Sequence, residues 1–338
     1  MQTIDHSFTL PPARCIKTKR LPKAPIRKKS ICSAVEEQRD LLRVVSNAIR
    51  ERYATVHSKR VVESLEFLAA EKEYYLDHPT FGIQRASSFI AGLEARPFHF
   101  KSSPDYLWME NLEREYIVIL QELQAAISNP ELERLGNYVW APAAREEAIA
   151  YGPDWRTLVL QDRCIWENSN SCLFPKTVEL IKKYEVPSVE VFFARQSPQT
   201  GIKAHSDNTN FILTSHLGLD VPEGECWMNV GMEKHFWKNG CGVIADTSFI
   251  HSTENRSEKK DRYVLIIRFW HPGLSEIERN ALTFLFDAID DPSRQGIVRA
   301  NTLADKREEN FSSHILNKKR ENQLERKKGL GKLKKGMN

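Results

Sequence analysis

The chain has 338 residues, 41% of them hydrophobic and 28% charged, with a formal net charge of +4. That length suits one large domain or one domain with a helical extension, and no run approaches the roughly 18 apolar residues of a membrane helix, so the chain reads as soluble. The six cysteines form no CxxC pair, which excludes zinc-ribbon and thioredoxin-type readings and favours free thiols in a reducing compartment.

Charge is distributed unevenly along the chain. Residues 1–32 carry eight Lys or Arg against Asp5 alone, and residues 318–338 carry nine against Glu321 and Glu325; the stretch between is left at −10. An acidic middle argues against a nucleic-acid-binding domain, although the basic ends offer a weak footing for acidic partners. The acid-poor start, with Pro11, Pro12, Pro22 and Pro25, fits a plastid-type transit peptide. A disordered basic segment of a cytoplasmic protein is the alternative.

From about Ser33 to Glu73, Val35, Leu41, Leu42, Val45, Ile49 and Tyr53 fall largely at helical spacings. A second stretch, His78 to Leu93, is grouped with it, and a further helix is predicted over Asp105 to Ile127, so residues 33–130 read as a helical region. After about Asp154 the character changes. A helix near Pro175 to Tyr184 is followed by short β-rich runs at Val189–Phe193, Phe211–Leu219, Cys226–Val230, Cys241–Ala245 and Tyr263–Trp270. Turn residues such as Pro222-Glu223-Gly224 and Lys238-Asn239-Gly240 separate them. Short strands with regular turns predict a sandwich or jelly roll, here over residues 131–290. Ser275 and Glu278 have capping-box spacing, so a helix should run from there to about Asp290. Residues 291–338 read as a polar, basic tail.

Chemistry concentrates in His205-Ser206-Asp207, with His251 and then Arg262 further on. On a strand, residues i and i+2 share a face, so His205 and Asp207 should point together. With His251 they make a two-histidine, one-carboxylate facial triad for Fe(II), whose open positions suit a bidentate 2-oxo acid and O₂. Arg262, at the start of an apolar strand, can pair bidentately with a distant carboxylate of that co-substrate. Asp246, five residues before His251, is a rival carboxylate, read as a turn cap or as a support to the ligands.

Several motifs extend this pattern: Ala95-Arg96-Pro97, Asp154-Trp155, Pro175-Lys176-Thr177, His205-Ser206-Asp207-Asn208-Thr209-Asn210, Ser215-His216-Leu217-Gly218-Leu219, Asp246-Thr247-Ser248-Phe249-Ile250-His251 and Trp270-His271-Pro272. On them, residues from about 95 to 285 resemble the aspartyl/asparaginyl β-hydroxylase family. The resemblance implies an α+β fold, a double-stranded β-helix with helices packed outside. It also implies an iron(II)- and 2-oxoglutarate-dependent dioxygenase that hydroxylates an amino acid, a peptide or protein residue, or a related small molecule. His205 and His251 fall on the family's iron-binding histidines, and Arg262 on the arginine that holds the co-substrate's side-chain carboxylate. His216 falls near the other co-substrate carboxylate, with a core histidine as the alternative, and Trp155 in a region lining the substrate pocket, with core packing as the alternative. The best-known animal members have glycine at the place of Asp207, and they put arginines where Ile212 and Thr214 stand here. Without those cations, recognition of an acidic side chain in a secreted domain is not expected. A catalytically inactive jelly-roll binding module and a metal-dependent hydrolase are the rival readings. An intact set of His205, Asp207, His251 and Arg262 argues against the first, and the 2-oxo-acid arginine against the second.

Overall fold

The computed structural model describes residues 31–129, 141–142, 150–151, 155–291 and 295–309. The basic start over residues 1–30 and the Lys-rich end over 310–338 lie outside the described residues. Among the described residues no helix is long and apolar enough to cross a membrane.

The centre of the fold is a pair of facing antiparallel sheets. Eight strands build it: β1 (Ser188–Gln196), β2 (Thr200–His205), β3 (Ile212–Asp220), β4 (Cys226–Val230), β5 (Glu233–Phe236), β6 (Gly242–Ala245), β7 (His251–Asn255) and β8 (Arg262–Trp270). The larger sheet runs β6-β3-β8-β1 and the smaller runs β5-β4-β7-β2. That interleaved order is the double-stranded β-helix, or jelly roll. The strand Trp155–Asp162 extends the larger sheet beyond β1, and Phe98–His99 extends it beyond β6.

Alternation along the strands divides inside from outside. Val264 and Ile266 of β8 join Ala194, Met228, Val230, Val243, Ala245 and Phe249 between the sheets. Their neighbours Leu265, Ile267 and Phe269 face outward onto helices. Those helices are α3 (Leu107–Arg114), α4 (Tyr116–Ile127) and α5 (Pro175–Lys183), which contribute Trp108, Met109, Leu112, Ile119, Leu123, Leu180 and Ile181 to that layer. Gly218 in β3 allows a close crossing, because a Cβ there would lie 2.2 Å from the Lys238 carbonyl oxygen.

A second apolar layer covers the barrel's end. Leu42, Val45 and Ile49 of α1 (Ile31–Tyr53) and Val61, Val62 and Leu65 of α2 (Thr55–Ala69) pack with Phe211, Trp270 and α6 (Glu276–Ile289). The predicted capping box is present: Glu278 N–H donates to Ser275 Oγ at 3.3 Å, and Ser275 N–H to Glu278 Oε2 at 2.9 Å.

The structure differs from expectation at three places. The long first helix is broken at Ala54, which takes a positive φ of 55°. The stretch after it is not helical. Tyr74–His78 and Gly82–Ser88 form an antiparallel hairpin, with Tyr74 opposite Ala86, and the buried positions of the second strand alternate with a period of two. Third, residues 295–309 of the supposed tail form α7, whose Ala300 and Ala304 are buried beside α1 and α6. Ile297, Ala300 and Ala304 lie on one helical face, enough apolar surface to dock a short helix.

Candidate metal centre

β2 ends at His205 and β7 begins at His251, and the two residues are cross-strand partners in the smaller sheet. Their rings lie 4.1 Å apart, centroid to centroid. His205 Nδ1 lies 2.8 Å from the Lys203 carbonyl oxygen and His251 Nδ1 lies 3.0 Å from that of Phe249. In the tautomer with Nδ1–H donating to these carbonyls, each Nε2 keeps its lone pair, as a metal-binding imidazole requires.

Asp207 arrives by another route than the one expected. The strand stops at His205, and Asp207 sits in the turn that follows. Ser206 ties that turn down: its buried hydroxyl shares its one proton between the carbonyls of Ser248, at 3.1 Å, and Arg85, and accepts from Asn208 N–H at 3.0 Å. Asp207 N–H donates to the Thr247 carbonyl at 2.9 Å. The carboxylate is thereby turned back toward the histidines. Asp207 Oδ1 is 3.7 Å from His205 Nε2 and 4.0 Å from His251 Nε2. One donor atom from each residue lies within 4.8 Å of the others, the only such trio of His, Cys, Asp or Glu among the described residues. Two imidazoles and a carboxylate are a fitting donor set for a divalent first-row metal.

Asp246 is not part of this trio. It is buried, and its Oδ1 accepts from Ser248 N–H at 2.9 Å and from the Ser248 hydroxyl at 2.5 Å. It caps the turn before β7. Burial pushes its carboxyl up to about 7, against the pull of the Ser248 bonds.

Deeper between the sheets lies a different polar corner. Arg262, the first residue of β8, is 1% exposed. Its guanidinium carbon stands 4.3 Å from the centre of the Trp237 ring, while its Nε and Nη1 have no hydrogen-bond partner among the described residues. Burial pulls its pKa down to about 10. His216 of β3 stacks on the same Trp237, rings 5.6 Å apart and 10° from parallel, and its Nδ1 is also unpartnered. Burial first, then the charges of Arg262 and His251, push the His216 imidazole well below its usual range, which favours its neutral form. A buried guanidinium with unused donors fits an incoming carboxylate, so the residues present suit both a metal ion and a dicarboxylic co-substrate.

Trp155 opens the strand beside β1 and lies opposite Gln196, which in turn lies opposite Arg262. Directly opposed residues share a sheet face. Trp155 is therefore on Arg262's face two strands away, half-buried, its indole nitrogen without a partner among the described residues. The structure does not bring it into the trio. Two participants escape the motif reading. Trp237 has no signature in sequence. Arg268 does, since it follows Arg262 by six residues on one strand and so shares its inward face. Arg268 Nη1 pairs with both carboxylate oxygens of Glu190, and its Nη2 lies 3.8 Å from Asp207 Oδ2.

Residues 113–272 match the family model for aspartyl/asparaginyl beta-hydroxylase, a segment that holds every one of these side chains. This match and the relatives below support the aspartyl/asparaginyl β-hydroxylase family for that segment, just under half of the chain. Aspartate beta-hydroxylase domain-containing protein 2 of Rattus norvegicus is 32% identical over 210 residues, which are 59% of this chain and 57% of that protein. Aspartyl/asparaginyl beta-hydroxylase of Homo sapiens is 28% identical over 207 residues, 59% of this chain and 26% of that protein. The chain thus spans little more than half of the first relative and about a quarter of the second. A Pseudomonas putida prolyl-4-hydroxylase structure overlays 46% of this chain and 88% of its own, at 17% identity and a TM-score of 0.28, a likeness too distant to add to the strand order above.

Proposed function

We propose that the protein is an iron(II)- and 2-oxoglutarate-dependent dioxygenase that hydroxylates an amino acid, a peptide or protein residue, or a related small molecule. The observation that carries this reading is the coexistence, inside one barrel, of the His205–Asp207–His251 trio and a buried Arg262 guanidinium with unused donors. A metal hydrolase would have no use for the second feature.

His205, Asp207 and His251 would hold Fe(II), and Arg262 would hold the far carboxylate of 2-oxoglutarate. When bound, the metal and co-substrate supply O₂ activation, coupled to decarboxylation of 2-oxoglutarate to succinate and oxygen insertion into a substrate C–H bond. The protein's part is orientation and exclusion of water. The carbonyls of Lys203 and Phe249 fix the two imidazoles. The neutral His216 ring, beside Arg262, offers Nδ1 to the other co-substrate carboxylate. Val243, Val264, Ile266 and Phe249 keep this corner dry. Trp155, on Arg262's face, is assigned to the substrate pocket. Ile212 packs in the apolar end layer and Thr214 bonds to the Thr247 hydroxyl at 3.1 Å, so neither position supplies a cation to an acidic substrate. The Arg/Lys-rich residues 1–32 support delivery to a plastid, which a fluorescent-protein fusion of that segment checks by microscopy.

The test is succinate release from 2-oxoglutarate with Fe(II) and ascorbate under air, with candidate amino acids and peptides supplied one at a time, for wild type and His205→Ala. Turnover that requires Fe(II) and is lost in the variant is expected. A wild-type protein that binds neither Fe(II) nor 2-oxoglutarate would overturn the reading in favour of a binding module.

A further inference from the structure

Asp207 stands in a turn, so no strand pleat fixes the direction of its carboxylate. Its two oxygens nevertheless face different partners. Oδ1 lies toward the two imidazole Nε2 atoms, at 3.7 and 4.0 Å, and Oδ2 lies toward Arg268 Nη2, at 3.8 Å. Arg268 is itself anchored. It is the direct cross-strand partner of Glu190 in β1, and its Nη1 reaches Glu190 Oε1 at 3.2 Å and Oε2 at 3.1 Å. Glu190 is 9% exposed, and the side chains of Arg268 and Asp207 are 17% and 18% exposed. In so dry a setting a guanidinium between two carboxylates both screens their repulsion and fixes their directions. β8 presents two arginines to the inside, one at each end: Arg262 with unused donors and Arg268 engaged.

We propose that Arg268, held by Glu190, is a positioning residue that aims the Asp207 carboxylate into the metal site. The inference rests on the reading of the trio as an Fe(II) site. Arg268 works from outside the ligand set: it holds Oδ2, which leaves Oδ1 directed at the point the two Nε2 atoms share. The fixed fork of a guanidinium spans Glu190 and Asp207 at once, which a lysine ammonium does less well.

The experiment titrates the full chain with Fe(II) alone, anaerobically, and follows affinity in wild type, Arg268→Met, Arg268→Lys, Asp207→Ala and the Asp207→Ala/Arg268→Met double variant. Loss of an outer partner of a metal ligand typically weakens binding by about 10–100-fold. That loss is expected in Arg268→Met, with partial recovery in Arg268→Lys and no further loss when Arg268→Met is added to Asp207→Ala. Glu190→Gln/Arg268→Met removes both buried charges together, so its affinity is read if the single variant fails to fold. Unchanged affinity in these variants, or an equal further loss in the Asp207→Ala background, overturns the proposal. So does a raised substrate KM with unchanged Fe(II) affinity, which would put Arg268 on the substrate instead. A wild-type chain that binds no Fe(II) overturns the iron reading and this inference with it; wild-type binding without the coupling overturns this inference alone.

Discussion

At the barrel mouth His205, Asp207 and His251 are each supported as they stand, the imidazoles by backbone carbonyls and the carboxylate by its turn and by Arg268 nearby. Deeper in, Arg262 is 1% exposed, and its Nε and Nη1, like His216 Nδ1, have no hydrogen-bond partner among the described residues. Keeping an unpaired charge out of water costs on the order of several kcal/mol. The Trp237 face returns only about 0.5–2 kcal/mol of that. On the proposed reading, the mouth would take up a cation at little cost, whereas the inner corner carries a standing cost that an incoming anion would relieve. Binding at the two corners should accordingly have different thermodynamic signatures.

Arg262→Met breaks that contrast most severely. Removing the carboxylate's partner should weaken 2-oxoglutarate binding by about 100-fold or more, the scale of a charge-assisted bidentate pair. The same substitution removes a buried charge whose Nε and Nη1 have no hydrogen-bond partner among the described residues, so the ligand-free protein should gain on the order of 1–3 kcal/mol. Calorimetric titration with 2-oxoglutarate and thermal melting without it read the two halves separately. Lower stability with unchanged 2-oxoglutarate affinity would mean that Arg262 is an ordinary core residue held by Trp237.

Asp246 is an intermediate case, hydrogen-bonded to Ser248 yet with burial raising its carboxyl to about 7. The unfolded chain releases this proton near ~3.9, so between that value and about 7 the folded state holds more protons than the unfolded one. The stability that the neutral carboxyl contributes is complete below the unfolded pKa and is lost as pH rises through about 7. Asp246→Asn keeps an acceptor for Ser248 and removes the titration. Wild type should therefore lose stability relative to the variant, by up to ~1.4 kcal/mol per pH unit, as pH rises from 5 to 7. Urea unfolding of the metal-free proteins at several pH values measures this, and parallel curves would show that Asp246 is ionised throughout.

Legibility in the sequence followed how local each determinant is. Cys226–Val230 is a strand with the bounds the alternation implies, and the Ser275–Glu278 box starts a helix where its spacing says. The His78–Leu93 stretch misled because Ile83, Phe89 and Ile90 fall near helical intervals. What decides it is pairing with Tyr74–His78 and contacts to the barrel, such as the Arg85 N–H donating to the Ser248 carbonyl at 2.9 Å. The trio was readable as residue types. The geometry of Asp207 was not, because Ser206 fixes the turn through Arg85 and Ser248, which are distant in sequence. Arg268 was in view by simple alternation from Arg262, but Glu190, the residue that gives it a role, lies 78 positions away.

The smallest expected effect tests whether the two corners are local at all. Ser275→Ala removes the acceptor for Glu278 N–H at the start of α6 but leaves Glu278 bonded to Arg60 Nε and Nη2, both at 2.7 Å. Loss of an N-cap side chain costs about 1 kcal/mol. The ion pair between α2 and α6 should keep the helix docked, so the loss appears as a lower urea midpoint with an unchanged slope. α6 belongs to the apolar layer at the barrel's end, whereas Val264, Ile266 and Phe249 form the lining between the sheets. Fe(II) and 2-oxoglutarate affinities should therefore stay at wild-type values in Ser275→Ala. A shift in either would mean that the helical layer sets the geometry of the barrel's polar corners, and their contrast would then belong to the whole fold.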